Sequence, residues 1–173
     1  VTVRLFPPTF DLRNNVMKFR LLATDPDPIL LQIYKAYFPN VGFEVATAGD
    51  GLECLKLLRE FRPDALILSL GLAWGGAEGI LAIVRDETAM RPIPVVLTTD
   101  GIRPSKAVNL LLPPVVKLLE KPFRLQDLAA IIEAELQTRL ERPVAEGIPS
   151  PGRFVGDDGR ASDSDYSLTT PIQ

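Results

Sequence analysis

Short apolar runs and segments of helical period alternate five times across residues 18–140, and this alternation limits the fold more than any other feature of the chain. Residues 19–24, 42–48, 65–70, 94–99 and 115–119 read as strands. Residues 28–38, 51–61, 79–86, 105–112 and 125–140 read as helices. The run over 65–70 is apolar throughout, which suits a strand covered on both faces. In the last helix Leu128, Ile131, Ile132, Leu136 and Leu140 form one stripe. Pro28 suits the first turn of its helix, and Cys54 takes a small apolar core position. The pattern predicts an α/β domain, a doubly wound five-stranded parallel sheet flanked by five helices. In such sheets ligands bind at the carboxyl ends of the strands.

The flanks read differently. Residues 1–17 form an N-terminal extension in which Val1 to Phe6 alternates like a strand, Pro7-Pro8 stops it and 9–16 reads as a loop. Residues 141–173 are rich in Pro, Gly, Ser and Asp and have no period, so a disordered tail is expected. Its six acids against three Arg make it acidic and leave residues 18–140 nearly neutral. At 173 residues this is one domain with extensions.

Composition excludes several functions. A net charge of -3 argues against general affinity for nucleic acid. No apolar run approaches the roughly 20 residues that span a bilayer, and no signal segment opens the chain. One cysteine allows no intrachain disulfide and fits a reducing, cytoplasmic compartment. The absence of histidine removes Ser-His-Asp and Cys-His catalysis and His-ligated metals.

The chemistry left stands at the strand ends. The first strand runs into Thr24-Asp25-Pro26-Asp27-Pro28, the third ends in Ser69, the fourth in Thr98-Thr99-Asp100 and the fifth in Lys121-Pro122-Phe123. Carboxylates, hydroxyls and a lysine around one mouth suit a divalent cation and a phosphoryl group. Asp25 and Asp27 also have a plain structural reading as helix caps, and Thr98 and Thr99 as strand residues.

Five segments carry a family resemblance. They are Arg20-Leu21-Leu22-Ala23-Thr24-Asp25-Pro26-Asp27-Pro28, Gly42-Phe43-Glu44-Val45-Ala46-Thr47-Ala48-Gly49-Asp50-Gly51, Arg62-Pro63-Asp64-Ala65-Leu66-Ile67-Leu68, Pro94-Val95-Val96-Leu97-Thr98-Thr99 and Lys121-Pro122-Phe123. In this order and spacing the chain resembles the receiver domain of bacterial two-component response regulators. The resemblance implies a phosphoryl group taken from a histidine kinase onto an aspartate, a requirement for Mg²⁺, and a cis peptide at Lys121-Pro122.

The departures from that pattern set the functional expectation. Ser69 stands where the resemblance implies the phosphoacceptor aspartate, and Pro26 replaces the second of two adjacent acids. The loop from Gly71 to Glu78 is about two residues longer than is usual for the family. Leu118 takes the switch-aromatic position, and Thr99, or Thr98 on local wording, the hydroxyl position. Mg²⁺ binding is therefore expected to be weak or lost, with Asp25 and Asp27 as residual candidates. Lys121 is expected to turn to Asp25 in a partly exposed pair contributing about 0–1 kcal/mol. Trp74 is either an exposed partner anchor or a lid over the mouth.

The expected function is a phosphorylation-independent pseudo-receiver, not an enzyme, acting as a protein-interaction module in phosphorelay-type signalling. The expected partner is a signalling protein, such as a histidine kinase, or another part of a longer parent chain. Nucleic acid and membrane are not expected. The resemblance places the output face on Leu118 and on outward residues of 105–112 and 127–140. A phosphorylatable regulator with an atypical site and a small-ligand-binding α/β domain stand as alternatives; neither G-x-G-x-x-G after a strand nor a P-loop supports the latter.

Overall fold

The structure is a computed structural model that describes residues 9–11, 16–86, 93–101 and 110–141. Its strands are β1 (Thr9–Asp11), β2 (Val16–Thr24), β3 (Phe43–Ala48), β4 (Ala65–Ser69), β5 (Val95–Thr99) and β6 (Val115–Glu120). The α-helices among the described residues are α1 (Pro28–Tyr37), α2 (Gly51–Glu60), α3 (Gly76–Asp86) and α4 (Leu125–Glu141). A 3₁₀ turn, Phe38–Val41, follows α1 and ends on Gly42 at φ 94°.

Strands β3, β2, β4, β5 and β6 pair in that order, all parallel. This is the expected five-stranded doubly wound sheet, and its chain order reverses between β2 and β4. β1 adds an antiparallel sixth strand, pairing Thr9–Asp11 with residues 16–18 at the start of β2. The loop expected over 9–16 is corrected at Thr9–Asp11, and β2 begins three residues before the expected Phe19. Three residues facing another three carry too little periodicity to read as a strand alone. The expected helix over 105–112 lies mostly outside the described residues, as do the strand-like Val1 to Phe6 and the tail beyond Glu141.

Alternation along the strands builds two cores. Leu22, Leu66, Leu68, Val95 and Leu97 face α2 and α3, against Cys54, Leu58, Ile80, Leu81 and Val84. Leu21, Ala23, Ala65, Ile67 and Val96 face α1 and α4, against Tyr34, Phe38, Leu128, Ile132 and Leu136. Every residue of β4 and β5 is buried; β4 ends at Ser69, and Leu70, the last residue of the expected run over 65–70, is half-buried beyond it. Burial, with the nearby charges of Asp50 and Glu53, pushes the Cys54 thiol up to about 12, so it behaves as an inert core group.

Helix entry is fixed locally. Asp50 Oδ1 accepts the Glu53 N–H at 2.8 Å while Glu53 Oε2 accepts the Gly49 N–H at 2.9 Å, a reciprocal cap on α2. α3 begins at Gly76, three residues earlier than expected, because Ala77, Ile80, Leu81 and Val84 already form its buried face. The positive φ values of Gly75 and Gly76, 93° and 57°, turn the chain into that helix. At the end of α3, Arg85 donates to the carbonyls of Leu110, Leu112 and Pro113 at 2.9–3.2 Å and holds the turn that leads into β6.

Candidate functional site

The carboxyl ends of the parallel strands meet at one mouth. The registers pair Thr24 with Leu68 and Ser69 with Thr98, so Asp25 stands beside Ser69 one step past the last β2–β4 pair. Asp25, Ser69 and Thr98 are all buried.

Asp25 is the centre of the bonding. Its N–H donates to the Ala48 carbonyl at 3.2 Å, which ties the mouth to β3. Oδ1 accepts the Asp27 N–H at 3.0 Å. Oδ2 meets the Lys121 ammonium at 2.7 Å. The expected Lys121–Asp25 pair is thus present, but it is more enclosed than expected: Asp25 is fully buried and the Lys121 side chain is 17% exposed. Lys121 is further held by its N–H, which donates to the Thr99 carbonyl at 2.8 Å. The Lys121-Pro122 peptide is cis, as the resemblance implied, and Pro113-Pro114 is cis as well.

Asp27 does separate work. It is exposed, and its Oδ1 accepts the Ile29 N–H at 2.8 Å as the N-cap of α1. The two acids thus divide the work: Asp27 caps a helix and Asp25 pairs with the lysine, as expected for that pair.

Ser69 is engaged by its neighbours. Thr24 Oγ1 donates to the Ile67 carbonyl at 3.0 Å and accepts the Ser69 N–H at 3.3 Å. Ser69 Oγ accepts the Gly71 N–H at 3.4 Å. Thr98 Oγ1 is buried without a hydrogen-bond partner, and the buried Tyr34 hydroxyl of α1 also lacks one. Burial, and secondarily the charge of Asp25, raise the Tyr34 pKa well above the usual phenol range and keep it neutral. Thr99 falls on the other face with Val95 and Leu97. Leu118 pairs with Leu97 in register and packs half-buried on that same face, less enclosed than a core leucine.

Two features escaped sequence reasoning. Asp100, at the turn after β5, brings Oδ1 to 3.3 Å from Lys121 Nζ. Its place directly after Thr98-Thr99 was a signal for the mouth but not for a partner. Gly51 lies against the loop after β4: its N–H donates to the Ala73 carbonyl at 2.9 Å, and a Cβ there would collide with the Trp74 carbonyl. Trp74 itself is 81% exposed at φ 55°, too exposed to act as a lid.

The family model of the response regulator receiver domain matches residues 21–133. The chain belongs to that family. Among curated relatives, the DNA-binding response regulator MtrA of Mycolicibacterium smegmatis is 28% identical over 129 residues, 75% of this chain and 55% of MtrA. The transcriptional regulatory protein PrrA of Mycobacterium tuberculosis is 31% identical over 120 residues, 69% of this chain and 51% of PrrA. This receiver chain thus spans about half the length of the curated relatives it matches. Among solved structures, the receiver domain of a Pseudomonas aeruginosa sensor histidine kinase, with magnesium in its active-site cleft, aligns with a TM-score of 0.61 at 19% identity, covering 69% of this chain and 98% of that one. The Vibrio cholerae chemotaxis protein CheY4 aligns with a TM-score of 0.61 at 23% identity over 68% of this chain and 98% of its own. These two likenesses carry the receiver fold.

Proposed function

We propose that this receiver domain signals by protein contact without being phosphorylated, as an interaction module within a two-component pathway. The observation that carries the reading is the set of bonds around Asp25. In this reading Ser69, at the end of β4, holds the phosphoacceptor position, and a hydroxyl cannot form an acyl phosphate. The lysine that would meet a phosphoaspartate is already committed to Asp25 at 2.7 Å. Thr99, on the face it shares with Leu118, fills the hydroxyl position, and Leu118 has no hydroxyl with which to report a change of state.

The residues present do not fit the magnesium ion that the family implies. Mg²⁺ needs a near-octahedral set of hard oxygens, usually with one or two carboxylates. Here one Asp25 oxygen faces an ammonium, Asp27 caps α1, Pro26 offers no side-chain oxygen and the Ser69 hydroxyl accepts from Gly71. The domain therefore acts without metal and without catalysis of its own. Millimolar Mg²⁺ is expected to leave the melting temperature unchanged, with the magnesium-holding Pseudomonas receiver as control. A rise that disappears in Asp25→Asn contradicts the reading.

The partner is a signalling protein, such as a histidine kinase, or another part of a longer parent chain, and the compartment is the cytoplasm. No helix among the described residues is long and apolar enough to cross a membrane. Exposed Leu111 and Leu112 before β6, and Leu140 on α4, supply apolar contact on the proposed output face. The domain itself is not a nucleic-acid binder. In a parent organised like MtrA, DNA contact would belong to the remainder of the chain.

A further inference from the structure

We propose that Asp100 is a built-in anion that holds the mouth closed on Lys121, in the place where an external anion would otherwise sit. The Lys121 ammonium lies between two carboxylates, Asp25 at 2.7 Å and Asp100 at 3.3 Å. They differ in kind. Asp25 is fully buried and belongs to the sheet, whereas Asp100 is 62% exposed at its side chain and sits on the turn that leaves β5.

That turn lies directly against β6. The Lys121 N–H bonds the Thr99 carbonyl at 2.8 Å. Gly101, at φ 91°, lets the chain pass Glu120 so closely that a Cβ would lie 2.9 Å from Glu120 Oε1. The Asp100 carboxylate reaches from this turn toward the loop after β4. A Cβ on Gly71 would have Ser69 Oγ at 3.8 Å and Asp100 Oδ2 at 4.0 Å. One carboxylate oxygen thus faces the lysine while the other lies on the side of Gly71, in the loop after β4.

A tethered carboxylate outcompetes a free anion because its effective concentration at the lysine is far above that of a solute. The contact fixes the β5 exit relative to the lysine with no ligand bound. The mouth is therefore held in one state by the chain itself, and removing the Asp100 charge opens it to small tetrahedral oxyanions. This deepens the phosphorylation-independent reading and rests on it.

The test is a sulfate titration at constant ionic strength, followed by ¹⁵N–¹H NMR on wild type, Asp100→Asn, Asp100→Ser and Asp100→Asn/Lys121→Met. The Asp100 variants are expected to bind sulfate at least tenfold tighter than wild type, with shifts at Ser69, Gly71 and Lys121, and Lys121→Met is expected to abolish the gain. Equal sulfate affinity in wild type and both Asp100 variants, or shifts confined to other surfaces, overturns the proposal. Phosphoryl labelling of the wild type by acetyl phosphate would instead overturn the phosphorylation-independent reading, an outcome the sulfate titration does not measure.

Discussion

Lys121→Met is expected to destabilise the domain by about 3 kcal/mol, because removing one partner of a buried ion pair strands the other. The stranded group is the Asp25 carboxylate, which is fully buried and whose Oδ2 has the lysine ammonium at 2.7 Å. The sequence suggested a pair exposed enough to matter little, and the burial of Asp25 changes that expectation. Urea unfolding of the two single variants and of Asp25→Asn/Lys121→Met closes a double-mutant cycle. The double variant should recover much of the loss, since it leaves no uncompensated charge. A cost below about 1 kcal/mol for Lys121→Met would place the pair among ordinary surface ion pairs.

Gly51→Ala is expected to cost about 2 kcal/mol, within the range for forcing a methyl group into a filled site. The obstacle is backbone, the Trp74 carbonyl, on a loop already bonded to Gly51 through the Ala73 carbonyl at 2.9 Å. Trp74 holds a left-handed φ of 55° with no glycine's freedom, so this loop has little slack. Trp74 is the single tryptophan of the chain, and its emission should shift as the loop is displaced. Gly79→Ala is the contrast. Nothing lies within 4 Å of its Cβ position inside α3, and alanine there should stabilise by about 0.5–1 kcal/mol. Equal effects at the two positions would mean that helix propensity, not the close approach, governs Gly51.

What the sequence made legible was local or periodic. The central strand β4 announced itself because burial on both faces demands an unbroken apolar run such as Ala65-Leu66-Ile67-Leu68. The Asp27 cap was legible because its partner, Ile29, is two residues away. The rest depends on chain segments that meet only in the fold. The pairing of Lys121 with Asp25, 96 residues earlier, was expected, but how deeply the fold encloses it was not. Arg85 reads as a helix-terminal surface cation until the carbonyls of Leu110, Leu112 and Pro113 gather around it. β1 stayed hidden because Thr9–Asp11 is too short to show a period. The start of α3 stayed hidden because Gly75-Gly76 looks like loop while serving as the turn that admits the helix.

The most direct test of a receiver that works unphosphorylated is intact-mass spectrometry after incubation with acetyl phosphate and Mg²⁺, before and after hydroxylamine. Hydroxylamine cleaves acyl phosphates and leaves phosphoserine intact, so the measurement distinguishes a carboxylate acceptor from Ser69. The account predicts a single unmodified mass throughout. A hydroxylamine-labile adduct of one phosphoryl group on wild type, mapped to Asp25 or Asp100, would contradict it.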